Sequence, residues 1–306
     1  MSKLLNSLKI GGCVIGGLLT VAGALAGLSW HNARKMVSQC EKNRKYPDAH
    51  PGDYGMKFEA LDLHTEDNVN LHAWFIKGDN GATVILQHGY KMHRAEMLPN
   101  AQILNKHGFN LLLIELRNHG YSEGDKITFG YEEMYDIKAG LNYLKRRKDV
   151  DYNKIMMIGN SMGAVITLLA ATTFPEIIAV VADCPFADLP KQVARGVKKF
   201  APTPALAAPL VGLIRRFAEK IAGFKAEEIS PEMIIADISP RPVMLIQGGI
   251  DDVVGTHNGD VLMAAAKEPK ELWYVPDCGH CEAVELYPEE YEARVVPFLK
   301  KAAGII

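Results

Sequence analysis

Residues 154–174 constrain the fold more than any other stretch. A short apolar run, Lys154 to Ile158, leads into Gly159-Asn160-Ser161-Met162-Gly163 and then into an Ala- and Leu-rich segment of helical period through Phe174. A strand that turns into a helix this sharply leaves no room for a Cβ two positions either side of Ser161, and glycine stands at both. The turn presents Ser161 Oγ at the sheet's edge with the positive end of a helix behind it. Such a unit belongs in a sheet whose strands alternate with helices.

The rest of the chain alternates in the same way. Lys57 to Leu63 and Leu71 to Ile76 read as an antiparallel pair around Thr65 to Asn68. Thr83 to Gln87, Asn110 to Glu115, Ala179 to Ala182, Val243 to Gln247 and Leu272 to Val275 are short β-rich runs of the kind buried on both faces of a parallel sheet. Ala95 to His107, Tyr131 to Arg147, Asp260 to Lys267 and Pro288 to Ala302 read as helices. The expected class is α/β, with a mostly parallel central sheet and helices on both faces. One interval is too long for an ordinary connection, and residues 186–235 read as an inserted helical cap with an apolar Leu206 to Leu213.

The 306 residues are 48% hydrophobic and 23% charged, which describes a folded chain with a sizeable core. A net charge of −2 offers no basic excess for a row of phosphates, so nucleic acid is not an expected partner. The charge is unevenly spread, because Ile10 to Trp30 is a run of 21 residues without Asp, Glu, Lys or Arg. As a helix it would span roughly 30 Å, the thickness of a bilayer core. Residues 1–35 are therefore expected to be a single-pass membrane anchor apart from the catalytic fold, and 36–55 a linker to a domain over 56–306. A cleaved signal peptide ending at Ala24-Leu25-Ala26, with secretion of the remainder, is the competing expectation. Basic residues flank the run on both sides, so orientation is left open.

Ligands of open α/β sheets bind beyond the carboxyl ends of the strands, and three further strand ends carry suitable chemistry. Val243 to Gln247 runs into Gly248-Gly249-Ile250-Asp251-Asp252, and the last strand into Pro276-Asp277-Cys278-Gly279-His280. The order Ser161, Asp251, His280 is that of a nucleophile, its orienting acid and its base on this kind of sheet. Asp252 and Asp183 compete for the acid, and the spacing Gly-x-x-Asp-x-x-Val selects Asp251. The strand at Thr83 ends in His88-Gly89-Tyr90, so the backbone N–H groups of Tyr90 and Met162 are the expected oxyanion donors. His88 and His119 are read as holding turns. Cys278-Gly279-His280-Cys281 has the residue types of a zinc site, but no second C-x-x-C completes it and His280 is assigned as base. The two thiols are read as packing residues open to oxidation, and no metal is expected.

These features together resemble the α/β-hydrolase superfamily, and within it the bacterial cell-envelope hydrolases of the serine aminopeptidase-like and Bem46-like group. The resemblance spans about residues 56–300. It rests on His88-Gly89, Leu116-Arg117-Asn118-His119-Gly120-Tyr121-Ser122-Glu123-Gly124, Phe129-Gly130, the Ser161 turn, Ser239-Pro240, Asp251 and Gly279-His280. Glu115, Asn118 and Gln247 depart from the family's usual Asp, Gly and His. The resemblance implies a serine hydrolase acting through an acyl-enzyme, without metal or organic cofactor. An acyl ester or lysophospholipid-like substrate is expected because the cap is apolar, with peptide hydrolysis or a non-catalytic binding role on the same fold as alternatives.

Overall fold

The computed structural model describes residues 20, 22–39, 41–201 and 203–305. Among these, eight strands form one sheet: β1 Phe58–His64, β2 Asn70–Ile76, β3 Thr83–Gln87, β4 Asn110–Ile114, β5 Ile155–Asn160, β6 Ile177–Asp183, β7 Val243–Gly248 and β8 Lys270–Val275. Their order is β1-β2-β4-β3-β5-β6-β7-β8. The first two pair antiparallel, β2 is antiparallel to β4, and every later pairing is parallel. Each strand foreseen in the sequence is present, with ends displaced by a few residues.

Period-two alternation explains the apolar runs. In β3, Val84 and Leu86 join the cluster on one face of the sheet while Ile85 joins the cluster on the other. Leu111 and Leu113 alternate with Leu112 and Ile114 in the same way, as do Met156 and Ile158 with Ile155 and Met157. A strand buried on both faces needs apolar residues at every position, hence the unbroken runs.

Helices cover the two faces: α1 (residues 22–37), α2 Leu98–Lys106, α3 Glu133–Lys145, α4 Met162–Thr173, α8 Asn258–Ala265 and α10 Pro288–Ala303 form the main layers. The expected helix from Ala95 starts instead as a 3-10 turn, Arg94–Met97, before α2. Pro99 fits the first turn of α2, where its missing N–H is of no consequence. Between β6 and β7 lie α5 Leu189–Phe200, α6 Pro204–Ala222 and the short α7 Pro231–Ile234, the helical insertion anticipated for 186–235. The remaining helix is the short α9 Ala283–Leu286.

Most of the anticipated anchor, residues 1–19 and 21, lies outside the described residues. Among the described residues no helix is long and apolar enough to cross a membrane. The end of that segment is part of the globular packing. Ala33 and Val37 of α1 are fully buried in the core, and Trp30 meets Phe217 of α6 edge-on with centroids 5.4 Å apart. Residues 36–55, expected as linker, include the end of α1 and two 3-10 turns, Glu41–Asn43 and Pro51–Tyr54. Arg44 from this stretch donates to the carbonyls of Ser122 and Gly124 and to Asn118 Oδ1, at 2.9, 3.0 and 2.9 Å. It clamps the loop that follows β4.

Candidate active site

Strand β5 hands over to α4 through Ser161, whose φ of 55° lies in the left-handed region. A Cβ on Gly159 would stand 2.2 Å from the Gly163 carbonyl oxygen, and one on Gly163 would stand 2.4 Å from that of Gln87. Both glycines are thus required by backbone contact, as the turn demanded. The Ser161 N–H donates to the Asp183 carbonyl at 2.8 Å, tying the turn to the end of β6.

The three side chains expected from separate strand ends converge. His280 Nδ1 is 2.7 Å from Asp251 Oδ2, and His280 Nε2 is 2.8 Å from Ser161 Oγ. Asp251 is buried, and its Oδ1 accepts the backbone N–H groups of Val253 and Val254 at 2.8 and 3.0 Å. Burial alone would raise its carboxyl, but the hydrogen bond and charge of His280 and the two N–H donors outweigh it and hold the carboxyl below its ordinary value. For His280 burial favours the neutral ring, yet the partners Asp251 and Cys184 raise it to about 9.

The rival acids are disposed otherwise. The Asp252 side chain is 86% exposed and faces Lys199, while its carbonyl accepts from Arg195 Nη2 at 3.0 Å. Helix α5 grips the acid loop through Arg195 and Lys199. Asp183 is buried, and neither of its carboxylate oxygens has a hydrogen-bond partner. Burial first, and the neighbouring Cys184 and Asp251 next, push its carboxyl well above the ordinary range.

Above Ser161 the turn after β3 has most of its donors committed. Gly89 N–H goes to Glu96 Oε2 at 2.7 Å, Lys91 N–H to His119 Nε2 at 3.1 Å, and Met92 N–H to the Gly89 carbonyl at 3.2 Å. Among the described residues the N–H groups of Tyr90 and Met162 have no acceptor, and both residues line the cavity over Ser161. That is the disposition an oxyanion would use. His88 and His119 hold turns, as read from the sequence. Each has Nδ1 against a carbonyl, that of Gly89 at 2.9 Å and of Arg117 at 2.8 Å, and each accepts a backbone N–H at Nε2, from Leu116 and Lys91. Both rings are neutral: burial pushes His88 well below its ordinary value and His119 down to about 4.

The cavity measures about 780 Å³ and is walled by apolar side chains of the cap and body, among them Val193, Val197, Ile214, Phe129 and Phe186. Two details differ from the sequence reading. Leu210 of the cap packs in the core, and it is the next turn of α6, at Ile214, that meets the cavity. Helix α1 also contributes, through Asn32, Lys35 and Met36, because the Met36 carbonyl accepts the Tyr90 hydroxyl at 2.6 Å and brings the helix to the turn after β3. Position after a strand end flags Cys184, which the sequence reading passed over, whereas Glu96 and Met36 carry no local signal. Cys184, His280 and Cys281 have ligand-type atoms within 4.8 Å of one another. Cys278 is turned away into the core on the opposite face of the sheet.

The departures from the family pattern are structural. Glu115 accepts the Tyr121 N–H at 2.7 Å beside Arg94, Asn118 takes a left-handed φ of 57° and holds Arg44, and Gln247 Oε1 accepts the Gly259 N–H at 3.1 Å.

Comparison with known proteins agrees with this architecture. The Pyrococcus furiosus esterase Pf2001 superposes with a TM-score of 0.72 at 31% identity, covering 87% of this chain and 98% of that one. YfhR of Escherichia coli (strain K12) is 26% identical over 257 residues, 80% of this chain and 81% of the relative. YqkD of Bacillus subtilis (strain 168) is 26% identical over 270 residues, 88% of this chain and 83% of the relative. The family model described as "Serine aminopeptidase, S33" matches residues 78–238, more than half of the sequence, and the chain belongs to that family of α/β-hydrolases.

Proposed function

We propose that this α/β-hydrolase is a serine esterase that cleaves carboxylic esters of apolar acyl groups through an acyl-enzyme. The observation that carries the reading is the unbroken hydrogen-bond chain from Asp251 through His280 to Ser161, beneath an apolar cavity. In its neutral form, which titration near 9 makes the alkaline one, His280 donates Nδ1–H to Asp251 and accepts the Ser161 hydroxyl at Nε2. As Ser161 Oγ attacks the ester carbonyl, Nε2 takes its proton and the Asp251 carboxylate stabilises the imidazolium. The carbonyl oxygen, now an oxyanion, is held by the N–H groups of Tyr90 and Met162. His280 returns the proton to the departing alcohol. Water, deprotonated by the same imidazole, then releases the acid and regenerates Ser161.

An acyl chain suits walls built from Val193, Val197, Ile214 and Phe129. The likeness to an esterase at 31% identity supports the same reading. Peptide hydrolysis is the second reading, favoured by the carboxylates of Glu282 and Glu285 at the cavity wall near His280, which suit an ammonium group.

Turnover of the purified protein on esters of graded acyl length and on aminoacyl anilides, with Ser161→Ala as control, tests the proposal. Each methylene buried contributes about 0.8 kcal/mol, roughly fourfold in kcat/KM, until the cavity is full. The expected result is such a rise on esters, lost in Ser161→Ala and shifted to shorter chains in Val197→Trp. Faster anilide than ester turnover would assign a peptidase. Ligand binding without turnover of either class would assign a binding protein.

A further inference from the structure

We infer that Cys184, His280 and Cys281 form an inhibitory site for a soft divalent cation of the zinc type, placed so that its occupation shuts off Ser161. The ligand-type atoms of the three residues lie within 4.8 Å of one another. Tetrahedral zinc, with bonds of about 2.0–2.3 Å, asks for ligand atoms about 3.5 Å apart, so a modest side-chain movement closes the set. Two sulfurs and an imidazole select zinc or its soft congeners over magnesium and calcium, which take oxygen ligands.

The two thiols come from different strand ends, Cys184 after β6 and Cys281 in the loop after β8, and the Cys281 N–H donates to Cys184 Sγ at 3.4 Å. Both hold left-handed backbone, at φ 49° and 58°, which non-glycine residues keep only where their surroundings fix it.

An independent observation points to a positive charge here. Asp183, directly before Cys184 and 1% exposed, has no hydrogen-bond partner for either oxygen. A cation beside Cys184 would give that carboxyl group a partner. Binding is balanced without any redox step: two thiol protons leave for solvent, two thiolate–metal bonds and one imidazole–metal bond form, and the fourth position goes to water or Ser161 Oγ.

The consequence for catalysis follows from the hydrogen bonds already made. Both ring nitrogens of His280 are in use, Nδ1 toward Asp251 and Nε2 toward Ser161. Whichever nitrogen binds the cation, the proton relay is broken. Inhibition rests on the serine-hydrolase reading above, whereas binding does not, and the two are measured separately.

The experiment uses the full chain, kept reduced with a phosphine. With Co²⁺ as spectroscopic probe, an intense thiolate-to-cobalt charge-transfer band should appear at one equivalent and be displaced by Zn²⁺. Zn²⁺ should protect Cys184 and Cys281, and not Cys278, from alkylation read by mass spectrometry. On an ester substrate, Zn²⁺ should lower the rate at least tenfold, EDTA should restore it, and Mg²⁺ should do nothing. In Cys184→Ser and in Cys281→Ala, the Zn²⁺ concentration for half inhibition should rise more than tenfold, each relative to its own metal-free rate. No sulfur band and no protection in the wild-type chain would overturn the site, whatever the activity. Equal zinc sensitivity in both variants would overturn the thiols as ligands. A sulfur band with protection, in a protein that turns over no ester, would keep the site and remove the esterase reading.

Discussion

Gly163 packs so closely on Gln87 that a single added methyl would stand 2.4 Å from the Gln87 carbonyl oxygen and 2.6 Å from that of His88. The obstacle is backbone, so neither neighbour can swing aside as a side chain would. Gly163→Ala must therefore move the turn that carries the Tyr90 N–H relative to Ser161. Overpacking of this kind costs about 1–3 kcal/mol in stability. A displacement approaching 1 Å costs on the order of 100-fold in rate. Denaturant melts and ester kinetics on Gly163→Ala should show both losses, and a variant with wild-type kcat would mean the contact is not tied to catalysis.

Asp251 and Asp252 are adjacent in sequence but differently placed, the first against His280 and the second exposed beside Lys199. Asp251→Asn keeps the shape of the side chain and removes the charge that faces His280 Nδ1, and losing that orienting carboxylate typically costs about 10⁴-fold in kcat. Asp252→Asn keeps the carbonyl that Arg195 and Lys199 hold, and removes only an exposed ion pair worth about 0–1 kcal/mol. The first variant should be crippled and the second close to wild type. The reverse ranking in steady-state kinetics would reassign the acid.

The sheet was legible because a strand buried on both faces has to be apolar throughout, as Thr83–Gln87 and Asn110–Ile114 are. Ser161, Asp251 and His280 were legible because each lies within five residues of a strand's end, so local pattern places it at the carboxyl edge. What was not legible depends on long-range packing. The cap was visible as an insertion, yet whether Leu210 or Ile214 of one helix meets the cavity depends on how that helix is rotated against the body. Cys184 and Cys281 are 97 residues apart, and nothing near either announces the other. The packing residues of helix α1, Ala33, Met36 and Val37, stand among His31, Arg34 and Lys35, and a polar stretch after an apolar run reads locally as a linker.

The neutral histidines set a pH dependence of stability. His119 titrates at about 4 in the folded chain, against the ordinary 6.5 it takes when unfolded. Its folded value is depressed, so the folded state is disfavoured wherever the unfolded chain has taken a proton that the native ring refuses. The contribution is fully present above pH about 6.5 and is lost as pH falls toward about 4, at roughly 1.4 kcal/mol per unit. Buried acids such as Asp183 titrate in the opposite sense, and subtracting the pH profile of His119→Gln from that of the wild type removes them. The difference curve should slope downward from pH 6.5 to 4, and a flat curve would show that His119 is protonated in the native state.

Helix α1 should matter to activity. Its Met36 carbonyl takes the Tyr90 hydroxyl at 2.6 Å, its Lys35 carbonyl takes Lys91 Nζ at 2.6 Å, and its Val37 carbonyl takes the Ile127 N–H at 2.7 Å. The first two bonds hold the turn after β3 at Tyr90 and Lys91, which line the cavity over Ser161, so the helix braces that side of the cavity from outside. Removing it also uncovers the core surface against which Ala33 and Val37 pack. Burying the Val37 side chain alone is worth about 1.5–3 kcal/mol. A chain beginning at residue 20 keeps every one of these contacts, whereas a chain beginning at residue 38 keeps none from the helix. The longer form should retain kcat on a soluble ester. The shorter should lose at least tenfold. Tyr90→Phe, which removes only the bond to Met36, should lie between, with its loss in kcat rather than KM. Full activity in the chain beginning at residue 38 would show that the helix rests on the cavity without supporting it.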